Sequence, residues 1–298
     1  MISLRAIISG DAAMDPFRVG FLIAGVQKGG TYSLYRLLER HPEIGLSKSK
    51  EVHFFDDEAS VDWSRPRYDR YHRNFSIDRR SRVFGEATPI YIYWPGSLER
   101  IRAYNPNTKL ILLFRDPIER AYSAWCHQRR KSREPLSFSE AIREGRARIS
   151  DPQGLGNRHF SYVERGFYAK QLRRALDLFP ASNILSLDSS QLSRDPRALV
   201  QQVVRFLGLS EPNGVIEAIH ANKRAPLKES DVVRADDVTL LADLFAGDVA
   251  ELVERVDFSI EHWPISRLVR GEVLANDVAS RLAKPGFANE DSAKGASA

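Results

Sequence analysis

The sequence predicts an α/β three-layer sandwich, a central parallel sheet flanked by helices. Three observations carry that reading. Short unbroken apolar runs alternate with amphipathic helical stretches, the first run ends in a glycine-rich turn that opens a helix, and no repeat or linker divides the chain. Strands buried on both faces of a parallel sheet read as continuous apolar runs rather than alternating ones.

Phe21-Leu22-Ile23-Ala24 is such a run, closed by Gly25. After the glycine-rich turn, Leu34, Leu37 and Leu38 recur at helical spacing until His41-Pro42 stops the helix. Arg82-Val83-Phe84 predicts a strand leading into Gly85-Glu86-Ala87-Thr88-Pro89, and Leu98, Ile101 and Tyr104 share one face of a short helix before Asn105-Pro106. Leu110-Ile111-Leu112-Leu113-Phe114 is the strongest strand. It breaks at Arg115-Asp116-Pro117 into a helix whose buried side carries Ile118, Ala121, Tyr122 and Trp125. Ser137 with Glu140 has the form of a capping box opening another helix. Phe167, Leu172, Leu176 and Phe179 predict a helix ended by Pro180, and Ile184-Leu185-Ser186-Leu187-Asp188 a strand. Asp195-Pro196 starts a helix bearing Leu199, Val203, Phe206 and Leu207, closed by Gly208; a last long helix carries Leu240, Leu241, Leu244, Phe245, Val249 and Leu252.

The 298 residues suit one large domain, expected over residues 18–283, with an N-terminal extension at 1–17 and a disordered tail at 284–298. Hydrophobic residues at 43% and charged residues at 28% exclude a disordered or collagen-like chain. No apolar run approaches the roughly 20 residues that span a bilayer, and the N-terminus lacks a signal-peptide pattern. The single Cys126 excludes an internal disulfide and a multi-cysteine metal site, so a cytoplasmic setting without membrane insertion is expected. Positive charge is uneven. Residues 65–174 hold 24 Lys and Arg against 11 Asp and Glu, whereas the rest of the chain is acidic. That excess fits an anionic small ligand, an anionic polymer or nucleic acid, or simply a solvated Arg-rich surface.

Gly25-Val26-Gln27-Lys28-Gly29-Gly30-Thr31-Tyr32-Ser33 lies between the first strand and the first helix. There, backbone N–H groups and the helix N-terminus attract a phosphate or sulfate. Against the pattern GxxxxGK[ST], Gly25 and Gly30 match, but Thr31 and Tyr32 replace the lysine and the hydroxyl residue, and the lysine sits earlier at Lys28. The architecture is therefore P-loop-like: it keeps the anion cradle without the usual Mg²⁺-binding hydroxyl. A glycine-rich turn that binds nothing is the plain alternative.

This loop, together with Lys50-Glu51-Val52-His53-Phe54-Phe55-Asp56, resembles the sulfotransferases that use 3′-phosphoadenosine 5′-phosphosulfate (PAPS), in particular the heparan-sulfate-type branch and its bacterial homologues. The resemblance continues through Gly85-Glu86-Ala87-Thr88-Pro89-Ile90-Tyr91, Leu113-Phe114-Arg115-Asp116-Pro117-Ile118-Glu119-Arg120-Ala121-Tyr122-Ser123, Arg165-Gly166-Phe167-Tyr168 and Phe206-Leu207-Gly208-Leu209, and into a last helix expected to end at Trp263. It implies an enzyme that moves a sulfuryl group from PAPS, by in-line displacement and without a metal, to a hydroxyl or less readily an amine. The acceptor would be a small molecule, a sugar or a lipid, and adenosine 3′,5′-bisphosphate would be released. Nucleic acid is not an expected partner; a homo-oligomer is compatible.

By resemblance, Lys28, Gly29, Gly30, Thr31, Tyr32 and Ser33 hold the donor's 5′-phosphosulfate, Lys28 stabilising the departing phosphate oxygen. Arg115 and Ser123 match the pair that binds the 3′-phosphate, with a salt bridge to Asp116 or Glu119 as the alternative role of Arg115. Glu51 matches the general base. His53 is its rival, since more distant sulfotransferases use a histidine; in an extended segment it would share a face with Glu51, and a structural bond to Asp56 or backbone is the plain reading. Lys48 and Lys50 flank these residues, and Lys223 and Arg224, with Asn222 and Lys228, are candidates for the purine end.

Two departures bear on the acceptor. Ala87 stands where many heparan-type enzymes carry a lysine, and Tyr32 where an arginine is frequent, which weakens the case for a sulfated polysaccharide. Residues 63–75 and 129–162 are expected to build the acceptor pocket, and bacterial specialised metabolism is the favoured setting. Two other classes remain open: a P-loop kinase or NTPase, with Asp188 ending a Mg²⁺-binding type of strand, and a basic nucleic-acid-binding protein.

Overall fold

The structure, a computed structural model, describes residues 17–211, 216–217 and 232–284. One sheet holds five parallel strands, β1 (Phe21–Gly25), β2 (Ile44–Leu46), β3 (Val83–Ala87), β4 (Lys109–Phe114) and β5 (Ile184–Asp188), in the spatial order β2-β3-β1-β4-β5. In register, Glu86, Leu22, Leu110 and Ile184 stand in one row across the sheet. The helices are α1 (Thr31–Leu38), α2 (Asp69–His72), α3 (Ser97–Tyr104), α4 (Pro117–Arg130), α5 (Phe138–Ile142), α6 (Leu155–Phe160), α7 (Tyr168–Leu178), α8 (Gln191–Arg194), α9 (Pro196–Leu207), α10 (Ala235–Val253), α11 (Pro264–Val269) and α12 (Ala275–Ala283).

Alternate side chains of the central strands enter two separate cores. Phe21, Ile23, Ile111, Leu113 and Leu187 pack against Leu34, Leu38, Leu199 and Val203 of α1 and α9. Leu22, Ala24, Leu110, Leu112 and Phe114 point the other way, into a larger core with Ile101, Ile118, Trp125, Leu172, Phe245 and Leu282. The sheet thus lies between two helical layers, and burial on both faces explains the unbroken apolar runs.

The chain leaves β1 toward the β2 edge and leaves β4 toward the β5 edge. Connections that diverge from neighbouring strands open a crevice at their carboxyl ends, and this sheet opens one between β1 and β4. Arg115 and the glycine loop lie on either side of it.

Several boundaries differ from expectation. The strand expected at Arg82-Val83-Phe84 runs from Val83 through Ala87, so Glu86 and Ala87 are strand residues. The last long helix ends at Val253; Trp263 instead precedes α11, which opens on Pro264 as a first-turn proline can. Ser137 and Glu140 do form the capping box, although the helix they open is only five residues long. The expected extension and tail lie outside the described residues, apart from Phe17, which packs on His72, Phe75 and Phe84, and Lys284. No helix among the described residues is long and apolar enough to cross a membrane.

Candidate functional site

A cleft of roughly 990 Å³ occupies that crevice, and every described residue expected to act in catalysis or hold the donor lines it: Lys28, Gly29, Gly30, Thr31, Tyr32, Ser33, Glu51, His53, Arg115 and Ser123. Lys223 and Arg224, with Asn222 and Lys228, lie outside the described residues. Eight Lys and Arg but only four Asp and Glu line the cleft, so its field favours an anion.

The glycine loop is built by close backbone approach. Val26 N–H donates to Leu113 O at 3.1 Å, and Gly29 N–H to Val26 O at 2.9 Å. A Cβ on Gly29 would lie 2.3 Å from that same Leu113 oxygen, and Gly30 has φ +89°, so neither position takes a larger residue freely. Gly29→Ala is expected to destabilise the fold by about 1–3 kcal/mol through overpacking against backbone, read as a lower Tm. Lys28 itself has φ 72°, an uncommon conformation for a residue with a side chain. Burial first, then the charges of Arg130 and Arg115, pull its amine down to about 8. Lys28 is a cation set among cations.

Glu51 accepts from Lys50 Nζ at 3.0 Å, and its other oxygen lies 3.3 Å from His53 Nε2; His53 Nδ1 lies 2.8 Å from Asp56 Oδ2. Burial alone would raise the Glu51 carboxyl, but the contacts with His53 and Lys50 outweigh it and hold it at about 2. Burial would likewise depress His53, yet Asp56 and Glu51 lift it to about 9. With a carboxylate against each ring nitrogen, His53 is held as an imidazolium and has no lone pair to take a proton. The segment is not extended at His53, which has φ 54°, and its ring contacts Glu51 directly.

A buried support lies behind. Val52 N–H donates to Thr88 Oγ1 at 3.0 Å, and Thr88 donates to Glu86 Oε2 at 2.6 Å. Glu86 is fully buried and pushed up to about 7 by burial. Arg158, from α6, donates to Asp56 Oδ2 at 2.5 Å and to Asp56 O at 2.6 Å while its guanidinium stacks 4.2 Å from the Trp94 ring centroid.

Arg115 is both a cleft residue and a salt-bridge partner. Its Nε and Nη2 contact Glu119 Oε2 at 3.0 and 2.9 Å, and Arg281 donates to the other Glu119 oxygen. The Asp116 carboxylate caps α4, accepting from Glu119 N–H at 2.9 Å and Ile265 N–H at 2.8 Å.

Of the two segments expected to form the acceptor pocket, only one reaches the cleft. Arg130, Lys131, Arg133, Arg158 and His159 line it, whereas residues 63–75 do not. Trp63 and Tyr71 instead pack around Phe54 and Phe55 and support the Glu51 segment from behind. Lys48 also misses the cleft, its amine donating to Arg73 O at 3.1 Å, while Lys50 lines it. His127, which the sequence did not single out, is driven down to about 4 by burial and by Lys28, Lys131 and Arg130, leaving a neutral ring beside the cations.

At the far end, Asp188 lies 3.1 Å from His262 Nε2, accepts from Arg194 at 3.1 Å and from the Trp263 indole at 3.2 Å, and is bonded by Ser190. Its oxygens are committed to protein donors. No group of three or more His, Cys, Asp or Glu among the described residues has the arrangement of a metal site.

Residues 20–233 match the Sulfotransferase domain family. The chain is similar to human heparan sulfate glucosamine 3-O-sulfotransferase 6, 35% identical over 192 residues, covering 63% of this chain and 52% of the relative. It is also similar to human bifunctional heparan sulfate N-deacetylase/N-sulfotransferase 3, 31% identical over 214 residues, covering 67% of this chain and 23% of the relative. It thus spans about half the length, or less, of these curated relatives. Among solved structures, a sulfotransferase from Alicyclobacillus acidocaldarius superposes with a TM-score of 0.67 at 30% identity, covering 83% of this chain and 99% of that one.

Proposed function

The chain belongs to the sulfotransferase family, and we propose that it moves the sulfuryl group of PAPS to a hydroxyl of an anion-bearing acceptor. The observation that carries the reading is the placement of Lys28 and Arg115 on the two sides of one cationic cleft that Glu51 also lines.

The residues present fit the donor. The glycine cradle has no room for a side chain, and Lys28 sits where burial and like charges leave its ammonium in want of an anion. The loop N–H groups and Lys28 would hold the 5′-phosphosulfate, Arg115 and Ser123 the 3′-phosphate. The donor supplies an activated sulfuryl group whose S–O bond breaks as the acceptor oxygen bonds to sulfur from the opposite side. Glu51 receives the acceptor proton, and Lys28 neutralises charge that gathers on the departing phosphate oxygen. His53, fixed between Glu51 and Asp56, orients the base. Its side chain is 44% exposed, so these pairs serve geometry more than stability.

The acceptor reading follows from the wall formed by Lys131, Arg133, Arg158 and His159. His159 is depressed by burial and then by the surrounding Arg133, Arg158, Arg165 and Lys131, so cations crowd this wall. A sugar or smaller alcohol bearing a carboxylate, sulfate or phosphate suits it. Ala87 is fully buried in the α1-side core, so no cation enters the cleft from that position. A screen with labelled donor, read by mass spectrometry, tests the proposal: sulfated products should come from acidic acceptors in preference to neutral isosteres.

The kinase alternative is disfavoured by the engagement of Asp188 with four protein donors. Sulfuryl transfer is expected to survive excess chelator unchanged; Mg²⁺-dependent phosphoryl transfer from a nucleoside triphosphate, with no sulfuryl transfer, would reinstate the kinase alternative.

A further inference from the structure

We propose that Arg281, on α12, is a positioning residue of the donor site, neutralising Glu119 so that Arg115 presents a net positive charge to the donor's 3′-phosphate. The inference rests on the donor reading above.

Arg115 contacts a single oxygen of Glu119, at 3.0 and 2.9 Å, and Arg281 takes the other. An isolated Arg115–Glu119 pair carries no net charge, and an incoming phosphate would meet the carboxylate as well as the guanidinium. With Arg281 added, the two guanidiniums outweigh Glu119; the remaining carboxylate beside them, Asp116, is pushed toward its neutral form by burial and by Glu119, and its oxygens accept from the Glu119 and Ile265 N–H groups. Glu119 is 8% exposed, so its charge is poorly screened and its neutralisation matters to a neighbouring anion. Both Arg115 and Arg281 line the cleft, and so does Glu119.

The supporting helix is anchored for this task. Val278, Ala279 and Leu282 are buried in the larger core, which fixes the face of α12 from which Arg281 extends. Positions 275–283 lie beyond residue 233, where the family match ends. The cation that completes the donor site therefore comes from outside the matched region.

Calorimetric titration of adenosine 3′,5′-bisphosphate into four full-length proteins tests this: the wild type, Arg281→Gln, Glu119→Gln and the double variant. Arg281→Gln is expected to weaken binding on the order of tenfold, the scale of one charged contact. The double variant removes the carboxylate that Arg281 offsets, and its affinity is expected to return to within about threefold of wild type. Wild-type affinity in Arg281→Gln would overturn the proposal. So would a double variant as weak as Arg281→Gln, because damage to α12 is not repaired by a change at Glu119. A wild type that fails to bind the bisphosphate would instead overturn the donor reading itself.

Discussion

Replacing Glu51 by Gln is expected to lower kcat by roughly 10²- to 10⁴-fold, the usual contribution of a positioned general base. Affinity for adenosine 3′,5′-bisphosphate should stay within about threefold, because Gln keeps the volume and most of the hydrogen-bonding capacity of Glu. The assignment follows from where protons reside. His53 holds its proton up to about 9 and faces a carboxylate on each nitrogen, so it cannot accept another near neutrality. Glu51, at about 2, is ionised throughout that range. A carboxylate so acidic is a weak base at rest, but an acceptor hydroxyl that displaces the Lys50 or His53 contact removes part of what holds it down. The acid limb of activity should therefore lie well below neutrality, since Glu51 gains a proton only as pH falls toward its own value. A Glu51→Gln enzyme with near-normal kcat would remove Glu51 from the role.

Much of this site was legible before the fold was known, and the reason is local. Residues 25–33 are one continuous segment from the end of β1 into the first turn of α1, and Arg115 with Ser123 fall within one strand end and the helix after it, so sequence spacing alone brings them to a common edge. The central strands were equally plain, since β1 and β4 are buried on both faces. β2 is three residues long and includes a glycine, which leaves too little pattern to read. Contacts made by topology were not legible. Arg158 reaches Asp56 across 102 residues and Arg281 reaches Glu119 across 162, and nothing in a single sequence reports such a meeting. The aromatic content of residues 63–75 was open to two uses, pocket or core. The core use prevailed because Phe54 and Phe55 need covering, and Trp63 and Tyr71 supply the cover.

Lys28→Ala is expected to lower kcat by about 10²- to 10³-fold, the scale on which a preorganised donor at a developing oxyanion acts. Its pH dependence separates this lysine from the arginines around it. In the free protein the Lys28 amine loses its proton near 8, because burial and the charges of Arg130 and Arg115 disfavour the ammonium. Below that value the charge is present; above it the charge is lost. The ratio kcat/KM, which reports the free enzyme, should therefore fall on the alkaline side with an apparent pKa of about 8. A bound polyanion favours the ammonium, so the corresponding fall in kcat should lie at higher pH. Lys28→Arg carries a guanidinium that does not titrate in this range, and its kcat/KM profile should lose the limb even where the altered geometry slows turnover. A Lys28→Arg enzyme that kept an alkaline limb near 8 would assign the limb to another group and leave Lys28 with binding alone.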